Sequence, residues 1–558
     1  MDQARELQRL LARIERDGIS RRNLMRRGAA MGLGTAALAA ALGNVGGPQR
    51  GVALAARGKL QADPGAGVRG GTLRVATIGE PATMDEHQTT AGITAELGYC
   101  MYECLFTYDA SFQPMLELAE SHTISEDGLT HTLVLRQGVP FHNGETMTAD
   151  DVIASLTRWG EISGVGQRLM EATTELAKAD DHTIEFRLSR PYGTLAIALA
   201  HNTQAAVIYP KSVIDAGNLE PLTEFVGTGP YRLLEWRPDA FMRFERFEEY
   251  AALEAEPNGY GGRKYAYADQ IEFIPVPDEA ARVAGLQAGD YELALEIGND
   301  QYEVLNGAPG IVTEILEPTN WDVFFLNWDS PLMSNLAMRQ AVQAALDAEP
   351  MLLSGRGSQE FIRLDPGLMM LGSPWHTDAG AEFYNMNDPE LARTKLEEAG
   401  YDGTPIRFMT TQEYSYMYGE SIVAAQQLEA AGFTVDLQVI DWATLLERRA
   451  QREEWDMFST GHGFVPDPSQ VSYVGQMNVY PGWWSDEEAL AASAELLAEA
   501  EFDVRYPIWE QVQEMHYTQI PAIKIGDSST TSFRSERIGG WSPVFQRGLM
   551  FWNFWLEG

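Results

Sequence analysis

Ser125-Glu126-Asp127-Gly128-Leu129-Thr130-His131-Thr132-Leu133-Val134-Leu135-Arg136-Gln137-Gly138-Val139-Pro140-Phe141-His142-Asn143-Gly144-Glu145-Thr146-Met147-Thr148-Ala149-Asp150-Asp151-Val152 is the most informative segment of the chain. Ser125 to Gly128 has the composition of a turn, and Thr132 to Leu135 is rich in β-formers. Asn143-Gly144 makes a second turn. Thr148 then stands where a helix cap belongs, with Asp151 at the fourth position, as in a capping box. The stretch reads as a hairpin running into a capped helix. It carries no catalytic constellation.

Working outward, Gly70-Gly71 precedes Thr72-Leu73-Arg74-Val75-Ala76-Thr77, an alternating strand. Thr183-Ile184-Glu185-Phe186-Arg187-Leu188 alternates in the same way and is closed by Pro191. Gly227-Thr228-Gly229-Pro230 forces a tight turn before a strand at Tyr231-Arg232-Leu233. Further on, Pro389 follows Asn387-Asp388 in a first helical turn, and that helix runs to Ala399 and stops at Gly400. A strand is predicted at Ile406 to Met409, a helix from Ser421 to Ala431 stopped by Gly432, and a strand at Val435 to Val439. A strand, helix, strand unit joins parallel strands by a right-handed crossover, so this half is α/β.

Four segments together resemble the family 5 extracellular solute-binding proteins, which serve peptide, opine and nickel ABC importers. They are the opening stretch, the Gly227 to Leu233 turn, Ala281-Arg282-Val283-Ala284-Gly285-Leu286-Gln287-Ala288-Gly289-Asp290, and Met338-Arg339-Gln340-Ala341-Val342 running on to Leu346-Asp347. The resemblance implies an α/β, two-lobed periplasmic-binding-protein fold of type II, in the large peptide-binding class. Lobe one would span 69–320, with an extra subdomain inserted at about 103–196; lobe two would span 321–522, and 523–558 would return to lobe one. Crossings between lobes are expected near Trp321 and Ile523, with the ligand in the cleft between them. Lobes hinged in this way close over a ligand, and the closed state is what a membrane permease would recognise.

The N-terminus bears on compartment. Residues 1 to 28 hold eight arginines against four acids, and Ser20-Arg21-Arg22-Asn23-Leu24-Met25 resembles a twin-arginine export motif, with Leu24 where Phe is commoner. The apolar run Ala29 to Gly43 is shorter than the roughly 20 residues a bilayer span needs and has the polarity of a signal h-region. Cleavage is expected after Ala53-Leu54-Ala55, giving a 1–55 signal peptide and a soluble periplasmic protein. The whole chain has a formal net charge of −39; without the nine arginines and four acids of 1–55, 32 basic and 76 acidic residues remain, for −44. Such a balance argues against nucleic acid or anionic lipid as partners. Cys100 and Cys104 are expected on one helical face as small buried hydrophobes, since a metal site would need further ligands that the sequence does not supply.

For the solute, the resemblance implies a carboxylate-holding Arg after the Ile406 strand and an amine-holding Asp shortly before an Asp-Pro pair. Here the first position falls at Glu413, and the second within Gly461-His462-Gly463-Phe464-Val465-Pro466, ahead of Asp467-Pro468. Neither anchor is present, which argues against ordinary dipeptides. Two readings stand for Glu413-Tyr414-Ser415-Tyr416-Met417-Tyr418. Acid and aromatics hold a cation together, or an exposed loop carries interface tyrosines. His462 is either a ligand for nickel or a nickel chelate, or a hydrogen-bonded loop histidine. Candidate ligand residues are therefore Thr90, Tyr102, Trp321, Glu413, Tyr414, Tyr416, His462, Phe464, Asp467 and Trp484, with Tyr102 and Trp321 equally readable as core aromatics. No catalytic residue, metal ligand set or cofactor is expected. A monomer partnered by ABC permease subunits and a peptide, opine or related small solute is the leading reading. Against it stand an exported enzyme, for which no His-Glu-x-x-His or Gly-x-Ser-x-Gly motif is present although a carboxylate-based hydrolase would need neither, and a periplasmic ligand sensor.

Overall fold

The computed structural model describes residues 67–200, 203–316, 320–541 and 550–557. The signal segment, with Arg21 and Arg22, lies outside the described residues.

In the opening stretch, Gly128 N–H donates to Ser125 O at 2.9 Å, and Asp127 Oδ1 accepts from Leu129 N at 3.0 Å, closing the first turn. Thr130–Leu135 follows as a strand between Ala119–Ile124 and Thr183–Leu188, in a four-stranded antiparallel sheet completed by Thr173–Asp180. Asp151 Oδ2 accepts from Thr148 N at 2.8 Å at the start of helix Ala149–Ile162. Two of the four segments that carry the family resemblance are in contact. His142 N donates to Gly227 O at 2.9 Å, Gly227 N donates to His142 Nδ1 at 3.1 Å, and His142 Nε2 lies 3.0 Å from Gly229 O. With Nδ1 accepting, the ring proton sits on Nε2 and the imidazole is neutral. Burial holds its pKa down at about 4.

Two larger sheets carry the body. A seven-stranded sheet has the order Ile311–Ile315, Thr531–Ser535, Leu293–Ala294, Thr72–Thr77, Gln270–Pro275, Phe241–Arg246, Tyr231–Arg237. Thr72–Thr77 runs parallel to both of its neighbours. A six-stranded sheet has the order Ile362–Arg363, Ala522–Ser528, Asn320–Leu326, Met457–Gly463, Ile406–Thr410, Val435–Val439. Ile406–Thr410 and Val435–Val439 are parallel and joined by helix Ser415–Ala431, giving the predicted crossover unit. Both faces of this sheet are covered. Val323 and Phe325 pack into one buried cluster with Trp455, Trp484 and Trp509, while Phe324 and Leu326 pack into another with Leu352, Phe408 and Leu428. Side chains alternate across a strand, so one apolar run feeds two cores.

Three expectations need correction. Cys100 and Cys104 do not share a helix: helix Gly92–Gly98 ends first, and Gly229 N and Tyr231 N donate to Met101 O and Cys100 O at 3.0 Å, so tertiary pairing replaces the next helical turn. Both thiols are free and buried, and burial raises their pKa. The helix of the crossover begins at Ser415 rather than Ser421, so Tyr416 is helical and not part of a loop. Gly419 lies in that added length because a Cβ there would come 2.5 Å from Ser354 O of the adjoining helix Ala348–Arg356. The second passage between sheets falls at Ser529-Thr530 and not near Ile523, which is buried within the Ala522–Ser528 strand; the boundary drawn at 522/523 moves with it.

Candidate functional site

Strands Ile406–Thr410, Val435–Val439, Met457–Gly463 and Ala522–Ser528 run in one direction, and Asn320–Leu326 runs against them. Their carboxyl ends therefore share one edge with the start of Asn320–Leu326. Both connections to the seven-stranded sheet leave from this edge, one between Leu316 and Asn320 and the other at Ser529-Thr530. In the other sheet they meet the carboxyl ends of Ile311–Ile315, Leu293–Ala294, Thr72–Thr77 and Gln270–Pro275. Crevices outside the carboxyl ends of strands are where open α/β sheets bind ligands. The second passage is held from both sides: Asn299 Nδ2 donates to Ser529 O at 2.9 Å, and Ser529 N donates to Phe361 O at 2.8 Å. Elsewhere the insert meets the second lobe, where Gln470 Nε2 donates to Tyr108 Oη at 2.8 Å and Gly193 N to Ala498 O at 2.9 Å. A Cβ on Gly193 would fall 2.2 Å from Glu499 C, so the approach of these two backbones requires glycine.

One flank of the edge is aromatic. Trp321 and His462 are cross-strand partners, and their rings stack with centroids 5.3 Å apart at 28°. Phe325 meets His462 edge-on at 5.5 Å, and Tyr480 Oη lies 3.4 Å from His462 Nε2. Lys524 Nζ lies 5.9 Å from the Trp321 ring centroid and 5.6 Å from that of Phe464. Its charge is matched by Asp527 at 2.7 Å, and it also donates to Gly367 O.

The other flank is charged. Asp322, the neighbour of Trp321, points to the opposite face of the strand and accepts from Arg356 Nε at 2.9 Å and from Arg356 Nη2. The guanidinium carbon sits 3.6 Å from the Tyr416 ring centroid. Burial opposes the Arg356 charge, but Asp322 beside it raises its pKa above the ordinary value. Glu420 is enclosed against the same group; burial first, and the Asp322 charge second, push its carboxyl well above the usual range. One guanidinium thus faces two buried carboxyls, one of them pushed toward its neutral form.

The candidates from sequence divide accordingly. Trp321, His462 and Phe464 come together on the aromatic flank, and Tyr416 lies on the charged one. Tyr414 joins Tyr416 ring to ring at 6.2 Å and meets Trp442 at 5.0 Å. Glu413 is exposed, and its Oε1 accepts from Trp442 N at 3.0 Å, so it caps a helix rather than standing as an open anion. Thr90 is exposed in the loop ahead of Gly92–Gly98. Trp321 and Phe464, at 2% and 4% exposed, are part of the buried cluster, and three further candidates belong to the core. Tyr102 is 4% exposed and donates to Met84 O at 2.9 Å; Asp467 forms a buried two-point ion pair with Arg505 at 2.7 Å; Trp484 is 2% exposed and donates to Gln519 Oε1 at 2.7 Å. Reasoning from sequence missed Asp322, Arg356 and Lys524. The signal available for the first was its place next to Trp321 at the crossing, and for the second the helix-ending pair Arg356-Gly357. Among the described residues no three His, Cys, Asp or Glu side chains are grouped to hold a metal ion, and no helix is long and apolar enough to cross a membrane.

Comparison with known proteins agrees with this geometry. The family model for bacterial extracellular solute-binding proteins, family 5 Middle, matches residues 113–502. A probable peptide ABC transporter periplasmic-binding protein of Sinorhizobium fredii is 26% identical over 490 residues, covering 85% of this chain and 91% of that protein. Among solved structures, the ABC transporter-associated periplasmic binding protein DppA from Helicobacter pylori in complex with peptide STSA superposes with a TM-score of 0.73 at 20% identity, covering 88% of this chain and 99% of that one. The binding protein AgaA of A. tumefaciens R10, in complex with agropinic acid, gives 0.74 at 20% identity, covering 88% and 99%.

Proposed function

We infer that this chain, which belongs to family 5 of the bacterial extracellular solute-binding proteins, is the solute-capturing component of an ABC importer and takes a peptide or peptide-like small solute between its two lobes. The observation that carries the reading is the family match across the body of a chain whose two sheets bring their strand carboxyl ends to the passages that join them. Binding there favours the closed arrangement of the lobes, and the closed arrangement is what a permease would read. His462, Tyr414 and Tyr416 are the partly open aromatic surfaces offered to the solute, with Trp321 and Phe464 belonging to the buried cluster. The Trp321 stack supports this reading for His462 by fixing its ring.

The cationic solute favoured by a free Glu413 loses its main support, because that carboxylate is engaged by Trp442 N. The aromatic surroundings of His462 give no support to a nickel site. Export by a twin-arginine signal, cleavage near Ala55, and a monomeric periplasmic protein complete the proposal, motivated by Arg21-Arg22 and the apolar run after them. Replacing both arginines by lysine should leave the precursor in the cytoplasm, and normal export of that variant would remove the twin-arginine element.

The test of function is a thermal-shift screen of residues 56–558 against dipeptides, tripeptides, longer peptides, opines, betaine-like cations and nickel chelates. A ligand at 100 times its Kd adds about 2.7 kcal/mol, enough to move the midpoint visibly. A shift with peptides or opines and no product by mass spectrometry supports the binding role. Conversion of the added compound would instead support the hydrolase reading.

A further inference from the structure

We propose that Arg356, together with the Tyr416 hydroxyl, is the anchor for a carboxylate on the solute. The inference rests on the peptide-like class of solute argued above and names the group that fixes its orientation.

Arg356 is the last residue of helix Ala348–Arg356, which ends at Gly357 with φ 91°. From there its side chain reaches the sheet edge beneath Gly461 and is fixed in three ways: two hydrogen bonds to Asp322 and the Tyr416 ring against its face. A planar fork so oriented has already given up the freedom that ordering on a ligand would cost. Donors remain. Nη1 makes no hydrogen bond within the protein among the described residues, and 14% of the side chain is open to solvent. Tyr416 Oη likewise has no hydrogen-bond partner among the described residues, and a Cβ on Gly461 would fall 2.6 Å from it. The absent side chain at Gly461, the cross-strand partner of Asp322, is what leaves the hydroxyl uncovered. A guanidinium N–H and a phenolic O–H side by side fit a carboxylate, which accepts from both.

The other cations near the edge are less available. Lys524 is fully buried, with Asp527 and Gly367 O taking its protons, and Arg363 is spent on Asp527 at 2.7 Å. The arginine expected after the Ile406 strand is absent, so the role passes to a residue on a different element, across the sheet edge. Burial and the Asp322 charge push the Glu420 carboxyl toward its neutral form, which limits the negative charge at this corner.

The experiment compares a mixed pool of tripeptides as free acids with the same pool as C-terminal amides, read by calorimetric titration and native mass spectrometry. Wild type should bind the acid pool at least tenfold more tightly than the amide pool. Arg356→Gln should erase that preference, and Tyr416→Phe should reduce it several-fold with the thermal midpoint unchanged. Because Arg356→Gln leaves Asp322 buried without its cation, the pair Arg356→Gln with Asp322→Asn provides a variant without a stranded charge, and it should show the same loss. Equal binding of acids and amides by wild type, or a preference intact in the double variant, overturns the anchor while the peptide reading stands. Binding of neither pool by wild type overturns the peptide reading itself, and the anchor with it.

Discussion

Glu86 offers the sharpest energetic prediction, because its carboxyl is 3% exposed and is tucked against helix Gly92–Gly98 so closely that a Cβ on Gly98 would fall 2.0 Å from its Oε1. Burial, with the Asp85 charge beside it, pushes its pKa from 4.5 to about 8. A carboxyl raised on folding holds its proton in the native state after the unfolded chain has lost it. Its contribution to stability is therefore complete below about 4.5 and is lost as pH rises through about 8. At pH 7 the loss amounts to roughly 3 kcal/mol, at about 1.36 kcal/mol for each unit of separation. Glu86→Gln keeps the shape and removes the proton, so the variant should gain on wild type with rising pH. Urea unfolding of both at pH 5, 6, 7 and 8 should show their difference widening by about 3 kcal/mol across the series. Curves that stay parallel would mean that Glu86 reaches water or a cation in solution, and the account of its neutrality would be wrong.

Three further outcomes are expected. Arg505→Met should cost about 3 kcal/mol or more in urea unfolding by stranding the buried Asp467, while leaving solute affinity within twofold; a large affinity loss in a stably folded variant would return Asp467 to the binding site. Glu413→Ala should cost about 0.5 kcal/mol through the lost acceptor for Trp442 N and leave affinity unchanged, which calorimetry with a cationic peptide would check. His142, whose folded pKa lies near 4 against 6.5, contributes stability that is complete above about 6.5 and is lost as pH falls toward 4. NMR titration of its ring should show no protonation at pH 5.5, and a midpoint near 6.5 would refute the neutral tautomer bridging Gly227 and Gly229.

Local rules were legible wherever local forces decide. The Thr148 cap, the Pro389 start and Gly400 stop of one helix, and the alternation of Thr72–Thr77 all follow from chemistry within a few residues. Reading failed where a distant backbone intervenes. The chain at Cys100 leaves its helix because residues 229 and 231 take its carbonyls, and Gly419 looks like a break only until the Ser354 carbonyl is placed against it. The site shows the same division. The family resemblance places Trp321 at a crossing and His462 just ahead of Asp467-Pro468, and the two meet on neighbouring strands. Tyr102, Asp467 and Trp484 have the right chemistry at the right sequence separation, but their partners Met84, Arg505 and Gln519 draw them inward. Arg356 sits on a helix end whose relation to Asp322 depends on how that helix packs on the sheet, and no short motif encodes that.

The position of strand Thr531–Ser535 in the seven-stranded sheet also has a cost in time. It lies between Leu293–Ala294 and Ile311–Ile315, both made more than 200 residues earlier. At the roughly 5 to 20 residues per second of translation, the slot between those strands stays unfilled for about 10 to 40 s, with two unpaired edges facing it. Any competing strand, from this chain or another, can occupy the gap during that interval. The nascent protein is thus most prone to aggregation while its second lobe is being synthesised, and a chaperone that shields the slot would raise yield more than one acting after synthesis is complete.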